Sequence, residues 1–345
     1  MLTKKQIEDI KQHLEKSQNP AFFFDNDLDG LCSFLLLRRY IDRGVGVPVK
    51  SFPELNESYF RKVHELKCDY IFILDKPRVS EGFFKLAWEE NIPVVWIDHH
   101  QIEDKIPEWV AYFNPLLNKN KNSEPVTRLC FQVSEKKEDF WIAVIGCISD
   151  FYIPKFYPVF RKQYPELTVD SENPFEILYS SEIGRIARML DFALKDRTSN
   201  VIKTLKFLIS ARTPMEVVEE NPKTYHIRKH FEFVDKRYNN LLSKALEVGV
   251  KSKRVLFFQY GGDLSLSADL ANELSFKFPT KLIVIAYLKD VKANISVRGE
   301  RAKELTLKAI QNLEDATGGG HENATGVRVL IEDLPKFKDN LMKLI

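Results

Sequence analysis

The sequence predicts an α/β protein: a parallel, doubly wound sheet at the N-terminal end, a helical connector, and a smaller mixed α/β domain at the C-terminal end. Three observations predict it. Short apolar runs at 21–24, 70–74 and 92–97 alternate with helical patterns, as strand–helix–strand units do. From Phe175 to Val248 the pattern is mostly helical, with Pro214 and Pro222 as breaks. Beyond Lys251, strands and helices mix and include a hairpin, which departs from the alternation at the start. A chain of 345 residues is long enough for two domains or slightly more. The expected boundaries are 1–174 for the first domain, 175–250 for the connector and 251–345 for the last domain.

Taken in order, residues 3–17 read as an amphipathic helix with Thr3 as N-cap, ended near Pro20. The run Ala21-Phe22-Phe23-Phe24 reads as a strand that delivers Asp25-Asn26-Asp27-Leu28-Asp29-Gly30 at its end. A helix is expected from about Leu31 to Arg43, and a strand from Val45 to Phe52. Glu57–Glu65 reads as helix, and 70–74 as a strand running into Asp75. Ser80 caps a helix to Glu90. The strand 92–97 ends at Asp98-His99-His100. Asn118–Ser123 is a polar loop whose Lys119 and Lys121 are open to two readings, a phosphate contact or a solvated connection. Residues 126–134 and 138–148 read as helices, the second leading to Asp150. In the last domain, Val255–Gln259 reads as a strand and Ser267 as the cap of a helix to Phe276. Lys281–Leu288 and Val291–Val297 read as a hairpin turning at Lys289-Asp290. A helix at 305–313, the run Gly318-Gly319-Gly320-His321 and a strand near 327–331 complete the chain.

Composition narrows the function. The net charge of +2 announces no general nucleic-acid binder, so a basic patch has to be local. Four cysteines, widely spaced and without a Cys-x-x-Cys pair, argue against a thiolate zinc site and for a reducing, cytoplasmic setting. No apolar run reaches transmembrane length, and the N-terminus opens a helix rather than a signal peptide.

The acidic residues carry the chemistry. Asp25, Asp27 and Asp29 alternate by two, which on an extended segment places them on one face. Carboxylates converging on one point repel unless a cation neutralises them. Together with Asp75, His99 and Asp150 they offer enough oxygen and imidazole ligands for two Mn²⁺ or Mg²⁺ ions sharing a bridging carboxylate. Such a pair clamps phosphoryl oxygens and lowers the pKa of a bound water, the machinery for hydrolysing a phosphoester. A calcium loop is the competing reading of Asp-x-Asp-x-Asp-Gly, but position 12 of that loop is Leu36, not glutamate. Singly, Asp75 would pass for a helix cap, Asp150 for a turn residue and the His pair for structural groups. Gly318–Gly320 could admit an anion close to the backbone with His321 donating, or could be a flexible turn. Arg298 offers a fork for the same phosphate, or a surface pair with Glu300.

These residues resemble the DHH phosphoesterase family. Asp98-His99-His100 looks like its signature, and Asp25–Gly30 resembles its first motif in the form seen in RecJ-like nucleases. Asp75 resembles the second-motif aspartate, and Gly146–Asp150 the fourth motif. Ser296-Val297-Arg298 and Gly318–His321 resemble the DHH-associated C-terminal domain. The overall likeness is to archaeal RecJ-like exonucleases, including those that partner replication or repair helicases. The resemblance implies a manganese-dependent phosphodiesterase with its active site between two domains. Asp27, Asp29, Asp75, His99 and Asp150 would be metal ligands, while Asp25 stands where many relatives have histidine. His100 would face the scissile phosphate or leaving group, and Asp98 would hold the histidines in orientation. Arg298, Gly318, Gly319, Gly320 and His321 would hold the substrate's phosphate. Three functions follow as expectations. The first is a single-strand-specific exonuclease releasing mononucleotides from DNA or RNA, with 3′→5′ polarity favoured, and with Phe151, Tyr152 and Phe156 either stacking bases or packing in the core. The second is a phosphodiesterase for nanoRNA, cyclic dinucleotides or a nucleoside bisphosphate. The third is an inactive scaffold that binds a helicase. Oligomeric state is left open.

Overall fold

The computed structural model describes residues 1–50, 54–102 and 105–345. They form two compact units, Met1–Phe231 and Glu232–Ile345.

In the first unit, α1 (Lys4–Lys16) starts from Thr3, whose side chain and that of Gln6 form a reciprocal capping box. The elements that follow are β1 (Pro20–Asp25), α2 (Leu28–Ile41), β2 (Val45–Val49), α3 (Phe60–Leu66), β3 (Tyr70–Leu74), α4 (Glu81–Glu89), β4 (Val94–Ile97) and β5 (Ala111–Phe113). The end of the strand expected over 45–52 lies outside the described residues. The five strands are all parallel, in the order β2-β1-β3-β4-β5. The chain therefore winds one way from β1 to β2 and the other way from β1 to β3. Side chains beyond the carboxyl ends of strands at such a switch point face a crevice suited to a ligand.

β1 shows why the runs are apolar without alternation: both faces are covered. Phe22 and Phe24 pack on Phe34 of α2, at 5.7 and 5.2 Å between ring centroids. Phe23 points the other way onto Phe83 of α4, at 5.6 Å. Ile71, Ile73, Val94 and Trp96 complete the core on the α4 side.

Helices α5 (Val126–Ser134), α6 (Phe140–Ser149), α7 (Tyr157–Gln163), α8 (Pro174–Ser180), α9 (Glu182–Leu194), α10 (Thr198–Ser210) and α11 (Met215–Val218) follow. α12 (Tyr225–Lys251) runs across the division between the units. The helices from α8 to α11 thus belong to the same compact unit as the parallel sheet. Phe156 is packed between Phe131 and Phe140, and Phe151 stacks on Phe175 at 4.1 Å; both of these candidate base-stacking rings are half-buried.

The second unit carries β6 (Val255–Gly261), α13 (Ser267–Lys277), β7 (Leu282–Lys289), β8 (Lys292–Arg298), α14 (Ala302–Ile310), β9 (Thr317–His321), β10 (Ala324–Leu330) and α15 (Leu334–Lys343). Its sheet has the order β6-β7-β8-β10-β9, with β6 parallel to β7 and the rest antiparallel. The expected hairpin is β7–β8. Two readings need correction. Ser267 is the first helical residue of α13 rather than its cap, and its hydroxyl is engaged with that of Ser296 at 3.0 Å. Gly318–Gly320 are not a turn: they form the exposed edge strand β9, paired through backbone to β10. Among the described residues no helix is long and apolar enough to cross a membrane.

A single glycine sets the distance between β1 and α2. A Cβ on Gly30 would lie 2.3 Å from the carbonyl oxygen of Asp25 and 2.8 Å from its nitrogen. Both are backbone atoms, so no rotamer change relieves the clash. Gly30→Ala gains ~1 kcal/mol of helix propensity, less than the overpacking it creates. It is expected to lower unfolding free energy by about 1–2 kcal/mol in urea titrations.

Candidate metal centre

Sheet register assembles the site. Phe24 pairs with Leu74, Leu74 with Ile97, and Ile97 with Phe113 across four adjacent strands. The next residue on each strand is Asp25, Asp75, Asp98 or Asn114, so four polar side chains form a row along the carboxyl edge. The row is anchored by backbone bonds from Asp75 N–H to Ile97 and from Asp98 N–H to Phe113, both 3.0 Å. Asp75 has φ of 60°, a left-handed conformation uncommon outside glycine, at the point where the chain leaves β3.

The first motif behaves differently from the expectation of an extended segment with three carboxylates on one face. α2 begins at Leu28, three residues earlier than expected, because Asp27 is its N-cap and accepts from the Gly30 N–H at 2.9 Å. Asp25 is therefore on a strand, Asp27 at a cap and Asp29 in the first turn of a helix. Asp29 in turn accepts from the N–H groups of Val126 and Thr127, at 2.8 and 2.7 Å, at the start of α5. An anion at a helix N-terminus is favourably placed, and this one ties two helices far apart in sequence.

Asp29, Asp75, His99, His100 and Asp150 come together. One ligand atom each from Asp75, His99 and His100 lies within 4.8 Å of the others, and the same holds for Asp29, His99 and Asp150. Asp75 Oδ1 is buried without a hydrogen-bond partner, 3.4 Å from His99 Nε2 and 3.9 Å from His100 Nδ1. Asp25 and Asp27 fall outside both sets. An orphaned buried carboxylate oxygen, more carboxylates and imidazole form a donor set that fits a hard or borderline divalent ion such as Mn²⁺ or Mg²⁺.

A further layer fixes the histidines. Asp98 is 1% exposed. Its Oδ1 accepts from His100 Nδ1 at 2.8 Å and its Oδ2 from the Tyr112 hydroxyl at 3.2 Å. Asn114 donates to the His100 carbonyl and to the Tyr112 oxygen, at 2.9 and 2.8 Å. The Ser123 hydroxyl lies 3.3 Å from His99 Nδ1 and donates to the His99 carbonyl at 3.1 Å. Lys119 and Lys121, in the same loop, are exposed. Sequence reasoning missed Tyr112 and Ser123, whose roles depend on strand pairing and loop path. It also missed Lys76, although a lysine directly after a buried strand was a visible signal.

Crowding shows in the acidities. Burial, then the charges of Asp25 and Asp29, push Asp27 up to about 7. Burial pushes Asp29 up to about 6, against the hydrogen bonds from Thr127 and Val126. Burial, then Asp29 and Asp27, holds Asp75 well above the ordinary carboxylate range. Asp150 is raised by desolvation within the surrounding protein and then by Asp29 and Asp27; 42% of its side chain faces solvent, which tempers the shift. Burial lowers His100, but the hydrogen bond and charge of Asp98 outweigh it, and the imidazole ends above its ordinary value.

The expected phosphate-binding residues all lie in the second unit. Arg298 pairs with Ala324 and Ala324 with His321, so Arg298 and His321 share one row, two strand spacings or roughly 10 Å apart. Arg298 Nε donates to Asn272 Oδ1 at 2.6 Å, and Nη1 to the Val297 and Thr325 carbonyls.

Residues 21–145 match the model of the DHH family, N-terminal domain. No curated protein sequence matches the chain. Among solved structures, RecJ of Thermus thermophilus in complex with Mn²⁺ is similar at 15% identity and a TM-score of 0.71, covering 99% of this chain and 54% of that one. An exonuclease RecJ bound to manganese is similar at 14% identity and 0.66, covering 99% and 93%. The pGpG-specific phosphodiesterase PggH of Vibrio cholerae is similar at 13% identity and 0.51, covering 95% and 98%. The chain therefore spans about half the length of the Thermus RecJ and shares its fold.

The acidities give a prediction for the metal-free protein. The folded values of Asp27 and Asp29 are raised above the unfolded ones. Their contribution to stability is thus fully present below about pH 4 and is lost as pH rises through about 7. Thermal melts are expected to show a Mn²⁺-dependent rise in Tm that is larger at pH 7.5 than at pH 5. Asp75→Asn should raise the metal-free Tm at pH 7.5 and abolish the rise with Mn²⁺. An unchanged wild-type Tm with Mn²⁺ would contradict the assignment.

Proposed function

Residues 21–145 being a DHH family N-terminal domain, we propose that the chain is a manganese-dependent phosphodiesterase, acting as a single-strand-specific exonuclease on DNA or RNA. The observation that carries this reading is the orphaned Asp75 oxygen amid Asp29, His99, His100 and Asp150. A divalent ion held there would polarise a phosphodiester and activate water against it. The remaining roles belong to the chain. His99, positioned by Ser123, belongs to both ligand sets. His100, kept protonated more readily by Asp98, suits a place at the scissile phosphate or leaving oxygen. Arg298 and the Gly318–His321 strand, aligned in one sheet, are the candidates for holding a further phosphate of the strand. The resemblance favours release of mononucleotides and work in replication or repair beside a helicase, and the polarity proposed is 3′→5′. Four free cysteines accord with a cytoplasmic setting.

A second reading is a phosphodiesterase for very short substrates such as nanoRNA or dinucleotides, supported by the likeness in fold to PggH, named as pGpG-specific. The third expectation, an inactive scaffold, sits poorly with acidic ligands present at every motif position.

End-labelled single strands of DNA and RNA digested side by side with Mn²⁺ test these readings. Mononucleotides should appear from strands, and Asp98→Ala or His99→Ala should slow cleavage by at least ~100-fold. A rate that peaks at two to four nucleotides would favour the second reading. Cleavage unaffected by either substitution would remove the mechanism.

A further inference from the structure

Lys76 directly follows Asp75, and its side chain is 0% exposed. Nζ donates to Asp25 Oδ1 at 3.2 Å and to the Lys50 carbonyl at 2.9 Å, while the Lys76 carbonyl accepts from the Trp96 indole N–H at 2.9 Å. The ends of β1 and β2 thus hold the ammonium group, while Trp96 of β4 holds the Lys76 backbone. A buried ammonium is stable only beside negative charge, and the charge supplied is Asp25, the first carboxylate of the acidic motif. The same Asp25 oxygen also accepts from the Asn26 N–H at 2.9 Å. Asp27, its neighbour in the motif, has one oxygen committed to the cap of α2. Both ligand sets instead share His99, towards β3 and β4, and leave Asp25 and Asp27 out.

We propose that Lys76 is a built-in cation that makes the centre unequal. It occupies the Asp25 corner, so the resting protein binds one divalent ion tightly, among Asp29, Asp75, His99 and Asp150, and a second only weakly. The physical reason is twofold. A fixed positive charge repels a divalent ion brought within a few ångströms in a poorly screened site. One of the Asp25 oxygens is moreover engaged by Lys76 and by the Asn26 N–H. Lys76 acts through Asp25 and is a positioning residue. This deepens the reading of the site as a divalent-cation centre and rests on it.

The test is the binding of Mn²⁺ alone to the full chain, by calorimetry and by the electron paramagnetic resonance of free Mn²⁺. Wild type should bind one ion in a tight phase, with any second ion at least ~10-fold weaker. Lys76→Met should tighten the second ion by at least ~10-fold while leaving the first in place. Lys76→Gln, which keeps a polar group to fill the site, should act in the same direction and serves where Lys76→Met does not fold. Two ions of equal affinity in wild type would overturn the role of Lys76 and leave the metal centre standing. A second ion unchanged in a folded Lys76 variant would do the same. No Mn²⁺ bound to wild type would overturn the centre and this inference together.

Discussion

The structure depends on crowding negative charge where five parallel strands end. Burying one carboxylate without a counter-charge is costly, and here Asp27, Asp29 and Asp75 are all driven upward by burial and by one another. No packing arrangement in a hydrophobic core calls for such a cluster. The surrounding fold reads as what is needed to hold it. Apolar side chains on both faces of β1 fix the strand, pairing fixes the row, and Gly30 lets α2 approach the strand end closely enough for Asp29 to reach the site.

Each charge in the cluster is answered in a different way. Lys76 answers Asp25. The N-terminus of α2 answers Asp27 through the Gly30 amide, and the N-terminus of α5 answers Asp29 through two amides. Asp98 is answered by His100 and Tyr112. Asp75 alone among these keeps a buried oxygen with no hydrogen bond, in a strained backbone conformation beside two imidazoles. The unsatisfied acceptor is a feature that a bound cation would relieve, and it coincides with backbone strain at the centre of the proposed chemistry.

Much of this was legible in the sequence, for a simple reason. Strands buried on both faces are uninterrupted apolar runs, and parallel strands put their functional residues at one end, so Asp25, Asp75 and Asp98-His99-His100 stood out as the first polar residues after each run. The helix from Phe140 was legible for the same reason, with Asp150 just beyond it. Other features were hidden because they depend on partners distant in the chain. The convergence of Asp29 with α5 spans 97 residues, and nothing local to either segment announces it. The start of α2 was misplaced because the alternating aspartates suggested an extended run, whereas Asp27 caps the helix through the Gly30 amide. The edge strand β9 was hidden by its three glycines, which have no strand propensity and are held in the sheet by backbone pairing with β10. Ser267 looked like a cap by residue type, but its hydroxyl is committed to Ser296 on the neighbouring strand.

The most direct test of the account is a diffraction experiment on crystals grown with Mn²⁺, recorded at the manganese absorption edge. The account predicts an anomalous peak bounded by Asp29, Asp75, His99 and Asp150. A crystal with Mn²⁺ in its solvent and these four side chains ordered, yet with no anomalous signal among them, would contradict it.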